Sequence, residues 1–314
     1  MNERDPAQPQ YFQPMPDQPH LYDPALAPPQ PAEDSPLFAN SPHPWPERTP
    51  SPLDAIFFLL LLTLGFLLST AALGLALRVH LWGMHSFADA QNDTRVALGT
   101  QLIIYLGALL GAIPIFTVLW GKSFLAGIHW NAFVIHRRWG WLIAIAVACN
   151  LFAIVANSLL PFPQHAPIDK LFTSARDAWM LFAFGVTIAP FFEELIFRGF
   201  LLPATASAVD WCSQRLTGSG PIGTDEAGNP LWSRTAMLFA SLLVSVPFAL
   251  MHSAQVSDSW GPLALLYCVS ITLCATRLIT RSLAASTLVH AAYNLILFSI
   301  MLIQSNGFRH LDKL

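Results

Sequence analysis

The chain has 314 residues, 54% of them hydrophobic and only 11% charged, with a mean hydropathy of +0.49. That is too apolar for a soluble protein of this size and marks a polytopic membrane protein. A net charge of −3 offers no basic footprint for nucleic acid, which is excluded as a partner.

Residues 1–52 hold 15 of the 25 prolines and several acids but few aliphatic side chains. This composition predicts a disordered, partly polyproline tail. A solvated tail is preferred to a docking arm, because proline content alone specifies no partner. The first apolar run starts about fifty residues in and is too long for a signal h-region, so the N-terminus is expected to be retained.

A bilayer core needs about 20 apolar residues per helix, and such runs recur along the chain. Seven are predicted: Leu53 to Leu77, opened by Pro50-Ser51-Pro52; Ala97 to Trp120; Trp139 to Leu160; Ala178 to Leu202; Thr235 to His252; Pro262 to Leu278; and Leu283 to Ile303. A partial eighth span over Phe124 to Ile135 is an alternative reading. The fold class is therefore all-α, a transmembrane helical bundle of seven or eight spans. Ser207 to Arg234 is the longest connection; its glycines lack a GxxxxGK[ST] pattern and follow no strand, so it is read as a loop and not as a phosphate cradle.

Loop charges orient the bundle weakly. Nine Lys and Arg on the N-terminal side, Arg277 and Arg281 among them, face six on the other, which favours a cytoplasmic N-terminus. Cys149, Cys268 and Cys274 fall in spans and Cys212 in a loop, without CxxC spacing, and are read as small packing residues.

Within the spans the ionisable residues reduce to Glu193, Glu194 and Arg198 in the fourth, His252 in the fifth and His290 in the seventh. A charged residue at mid-bilayer costs about 2.5 to 3.5 kcal/mol on insertion scales, so these groups must meet one another or water. Glu194 and Arg198 are i,i+4 with the acid first, the favoured order for an ion pair. Glu193 points about 100° around the helix from Glu194, so the two carboxylates can take different partners. Phe248 and His252 share a helix face, as do His290 and Asn294. A carboxylate that can take a proton, a histidine to position water and polar groups to face an oxyanion are the parts of a hydrolytic site.

EExxxR (Glu193, Glu194, Arg198), FxxxH (Phe248, His252) and HxxxN (His290, Asn294), in that order on successive membrane segments, resemble the three motifs of the CPBP family. This is the family of CAAX proteases and bacteriocin-processing enzymes, also called Abi intramembrane glutamic endopeptidases. Pro190, Phe197-Arg198-Gly199 and Arg281-Ser-Leu-Ala-Ala agree as flanks, and the resemblance covers roughly residues 178 to 297. It implies a metal-independent peptidase without cofactor, acting on a membrane-anchored, possibly CAAX-type, peptide or protein. Glu193 would be the general base for a water shared with His252, Glu194 would pair with Arg198, and His290 and Asn294 would stabilise the oxyanion.

It further implies a catalytic core at residues 178–304, supported by transmembrane helices within 53–177 and followed by a short polar tail, 305–314. A multi-pass protein of the bacterial inner membrane is expected. No serine, cysteine or threonine flanks either histidine in a nucleophile pattern; Ser253 points to another face.

Alternatives remain at this stage. Glu194 and Arg198 could serve as a structural pair, His252 as an interfacial histidine and Asn294 as interhelical glue. Glu193, His252 and His290 form a His2Glu set that could hold zinc, although no HExxH occurs. An inactive scaffold and a proton-coupled carrier are the non-enzymatic readings, the carrier disfavoured by the absence of a second EE-like segment among the first three spans.

Overall fold

The computed structural model describes residues 49–91, 93–163, 172–218 and 231–311. The predicted N-terminal tail lies almost wholly outside them, as does the glycine-rich part of the predicted 207–234 loop. Among the described residues every regular element is helical. They are α1 (Pro52–Arg78), α2 (Phe87–Gln91), α3 (Thr94–Trp120), α4 (Phe124–Gly127), α5 (Phe133–Leu159), α6 (Ala175–Ala183), α7 (Ala189–Glu194), α8 (Leu202–Thr217), α9 (Arg234–Leu250), α10 (Trp260–Thr280) and α11 (Leu283–Gln304).

Six helices are long and apolar enough to cross a membrane: α1, α3, α5, the continuous 43-residue helix Ala175–Thr217, α10 and α11. The fifth predicted span, Thr235 to His252, corresponds to α9, a shorter apolar helix of 17 residues. Residues 124–135 hold only the single turn of α4 and the start of α5, so no eighth span forms there.

Local chemistry sets the helix ends. Ser51 and Asp54 form a reciprocal cap at α1, each side chain accepting the other's backbone N–H, at 3.2 and 2.7 Å, and Pro52 takes a first-turn position where an N–H would go unused. Asp93, Ser233 and Ser282 cap α3, α9 and α11, each side chain accepting one backbone N–H of the first turn. Gly121 ends α3 with φ of 61°, the left-handed turn that favours glycine.

In α1, Leu60, Leu64 and Leu67 are more than half exposed. On a helix this apolar such a face is lipid-facing, since hydrocarbon solvates leucine as well as another helix does. Only 17% of the most apolar window of α1 is buried, against 50% for Ala175–Thr217, which makes the glutamate-bearing helix the centre of the bundle. Phe200 on that helix stacks on Phe58 of α1 with ring centroids 4.1 Å apart, and Phe116 of α3 completes the cluster.

α1 and α3 cross closely because the contact carries glycine. A Cβ at Gly65 would lie 2.6 Å from the Ile104 carbonyl oxygen. Gly65→Ala is therefore expected to destabilise by about 1–3 kcal/mol, the usual cost of overpacking. Gly74→Ala on the same helix meets nothing within 4 Å and should lose no stability. Thermal unfolding of both variants in one detergent checks this, and equal midpoints would count against the described crossing.

The structure departs from the predicted boundaries in two informative places. The fourth span does not stop at Leu202; it stays helical to Thr217, so Ser207, Asp210 and Cys212 stand on α8 and not in a loop. Polar residues ended the apolar run without ending the helix. The chain then returns onto α8, Trp232 Nε1 donating to Ser207 Oγ at 3.1 Å and Ser233 N to Asp210 Oδ2 at 3.2 Å. The second departure is Arg277. Counted as a loop charge in the sequence, it lies in the last turn of α10 and is only 3% exposed.

The four cysteines are free thiols. Cys149 and Cys274 are buried packing residues, whereas Cys212 and Cys268 are exposed.

Candidate active site

Glu193 and Glu194 close the short α7, which stands between two stretches of π-helix, Phe184–Ile188 and Leu195–Leu201. Each π stretch runs up to a proline. Ala189 N bonds back five residues to Phe184 O, and Leu202 N to Phe197 O, while the next residues, Pro190 and Pro203, have no N–H to give.

The next bond in the first stretch would have run from residue 190 to Gly185 O. Asn294 of α11 supplies the missing donor, its Nδ2 lying 2.8 Å from that oxygen. Glycine permits the approach, because a Cβ at 185 would sit 2.9 Å from the Phe298 ring. Asn294→Ala is therefore expected to cost about 1 kcal/mol by stranding a part-buried carbonyl. Pro190→Ala, which restores an N–H, should recover part of that loss. Unfolding midpoints of the single and double variants measure it, and an undiminished loss in the Pro190→Ala background would count against this account.

Glu194 and Arg198 are both fully buried. Arg198 Nη1 donates to Glu194 Oε1 at 2.9 Å. Arg198 Nη2 reaches Ser270 of α10 twice, at 2.9 Å to the backbone oxygen and 2.8 Å to Oγ. The guanidinium also lies 4.5 Å above the Phe248 ring, a cation–π contact that a dry site strengthens. Among the described residues, Glu194 Oε2 and Arg198 Nε complete the pair without a hydrogen-bond partner.

His290 joins the two glutamates. Its Nδ1 lies 3.1 Å from Glu194 Oε1, and because a carboxylate only accepts, Nδ1 carries the hydrogen. Nε2 on the far side of the ring faces Glu193 Oε2 at 3.6 Å.

His252, just past the end of α9, points Nε2 at the same Glu193 oxygen from 4.0 Å. Its Nδ1 lies 2.9 Å from Phe248 O, a carbonyl that can only accept, so in the neutral ring Nε2 is the bare nitrogen. With a side chain 16% exposed, His252 is more open than Glu193 at 9% or His290 at 6%. Phe248 walls all of this, its ring centroid 5.2 Å from that of His252 and 5.9 Å from that of His290.

Six of the seven candidate residues thus meet around one point: Glu193, Glu194, Arg198, Phe248, His252 and His290. Asn294 sits one turn beyond His290 on α11 and is held by Gly185. Among the described residues no group of three or more His, Cys, Asp or Glu side chains has the geometry to hold a metal ion. The sequence reading missed Ser270, for which a lone serine in an apolar span gives no signal, and the bond from His290 to Glu194, which only the approach of α11 to α7 creates.

No curated protein and no solved structure matches the chain. Residues 175–296, running from the first turn of α6 into the second half of α11, match the family model described as type II CAAX prenyl endopeptidase Rce1-like, a match consistent with the CPBP family that the three motifs resemble.

Proposed function

We propose that this protein is an intramembrane peptidase that hydrolyses a peptide bond of a membrane-associated substrate through a water activated by Glu193 and His252. The observation that carries the reading is the convergence of His252 Nε2 and Glu193 Oε2 at 4.0 Å. That gap is too long for a direct hydrogen bond and suits a water bonded to both. Glu193 takes a proton from the water as its oxygen attacks the carbonyl carbon, and the same carboxyl returns the proton to the leaving amine. The bare Nε2 of His252 accepts the second water hydrogen and aims the attacking lone pair.

In this reading Asn294 and the imidazolium form of His290 face the tetrahedral oxyanion, the latter through Nε2–H because its Nδ1–H is given to Glu194. Asn294 has a second amide hydrogen for it after the first is given to Gly185. Glu194 and Arg198 hold His290 in place. No covalent intermediate and no metal enter the scheme. The proposed organisation is a catalytic unit at 178–304 carried by α1, α3 and α5. Residence in a bacterial inner membrane with a cytoplasmic N-terminus rests on the resemblance and the loop charges.

The Rce1-like match supports prenylated CAAX-type peptides as the first substrates to probe. The test is cleavage of two peptide sets, prenylated and unprenylated, by the purified protein in nanodiscs, with and without a strong chelator. Chelator-resistant cleavage supports the reading. Chelator-sensitive cleavage would transfer the site to a His2Glu metal mechanism, and no cleavage of either set would favour a scaffold.

A further inference from the structure

A cavity of about 770 Å³ opens away from the glutamates, where the ends of α4 and α10 meet the starts of α5, α9 and α11. Arg277 and Arg281 line it together with His129, Trp130 and Trp232, and among the described residues no Asp or Glu lines it. Arg277 is the telling one. Its side chain is buried, its Nε has no hydrogen-bond partner, and among the described residues its guanidinium makes neither a hydrogen bond nor an ion pair.

The acid that acts on Arg277 through space is Glu194, whose Oε1 already binds Arg198 and His290. A narrow cleft lined by Arg277, Leu278, Trp232 and Arg198 lies between the two regions.

A buried guanidinium without a partner among the described residues is costly unless water or an anion meets it. Among the described residues nothing lining the cavity offsets that charge. His129 Nε2 is spent on Thr49 O at 3.1 Å, and burial together with the field of Arg277 pushes its ring down to about 4, so it is neutral at physiological pH. Trp130 and Trp232 lie at the same end of the bundle as the caps of α1, α9 and α11, the level at which indoles mark a membrane interface.

We infer that this cavity is an anion site in which Arg277 binds a phosphate group. The planar guanidinium fork suits two phosphate oxygens at once, and the interfacial position makes a phospholipid headgroup and a soluble phosphate the two sources of that chemistry. The site is separate from the glutamate cluster and does not depend on the peptidase reading.

The test is thermal unfolding of the full chain and of Arg277→Gln in neutral detergent, with inorganic phosphate, with phosphatidylglycerol added to the micelles, or with sodium acetate at matched ionic strength. Wild type should gain about 5 °C at a hundredfold excess of the binding species over its Kd. A shift with inorganic phosphate identifies a soluble ligand, and one with phosphatidylglycerol alone identifies a lipid headgroup. Arg277→Gln should lose the shift. No shift from either phosphate source, an equal shift in Arg277→Gln, or an equal shift with acetate would overturn the assignment.

A second variant guards against a purely structural role for Arg277. Arg277→Met, which fills the same space without charge, should unfold in phosphate-free neutral micelles no lower than wild type. A lower midpoint would mean that Arg277 is held by the protein itself, and the proposal would fall.

Discussion

Glu193→Gln is expected to lower peptide-bond cleavage by about 10²- to 10⁴-fold, the usual contribution of a positioned general base, while leaving the fold intact. The amide has the shape of the carboxylate but cannot take the proton from water. Among the described residues the Glu193 side chain makes no hydrogen bond, its approaches to His290 and His252 being 3.6 and 4.0 Å, so its replacement strands no buried partner. His252→Ala should fall in the same range, because the water then loses the group that aims it. Initial rates on a cleaved peptide, read beside unfolding midpoints, separate the chemistry from the fold. Wild-type rates in Glu193→Gln would remove this residue as the base.

Glu194→Ala is expected to act in the opposite order, on stability first. Removing the acid leaves Arg198 fully buried with its charge uncompensated and takes the acceptor from His290 Nδ1–H. Breaking one side of a buried pair costs about 3–5 kcal/mol, a large part of a typical domain's stability. Glu194→Gln keeps an acceptor oxygen for both neighbours and should recover some of the loss. Glu194 is in this sense a positioning residue: it orients the histidine that faces Glu193. If Glu194→Ala unfolds at the wild-type temperature, the pair is not the lock that its burial implies. If Glu194→Gln is stable but slow, with the loss in kcat and not in KM, positioning of His290 is the better description.

These two glutamates show how far linear order carries. Adjacent residues on a helix face different directions, and that alone divides their partners. It does not say that Arg198 also reaches Ser270, or that His290 reaches back to Glu194, because both bonds span helices far apart in sequence. Arg277 failed for a different reason. An arginine at the end of an apolar run reads as interfacial, since a long side chain there ordinarily turns toward water. In the folded chain Trp232 and the neighbouring helices cover it.

The π-helical stretches were equally hidden. Pro190 and Pro203 are visible in the sequence, but a proline inside a helix can kink it, end it or follow a π turn. Asn294 at Gly185 O is part of what decides the first case, and it comes from α11.

By itself the sequence determined the membrane class, the six long spans and the shorter seventh to within a few residues at most ends, and the three motifs, because these depend on local apolar length and on spacing along one helix. The tertiary structure decided where the fourth span ends, which atoms of Glu193, His252 and His290 face one another, what fills the bond that Pro190 cannot make, and that Arg277 is buried. Each of these is settled by the approach of two or more helices, and no periodicity within one helix encodes it.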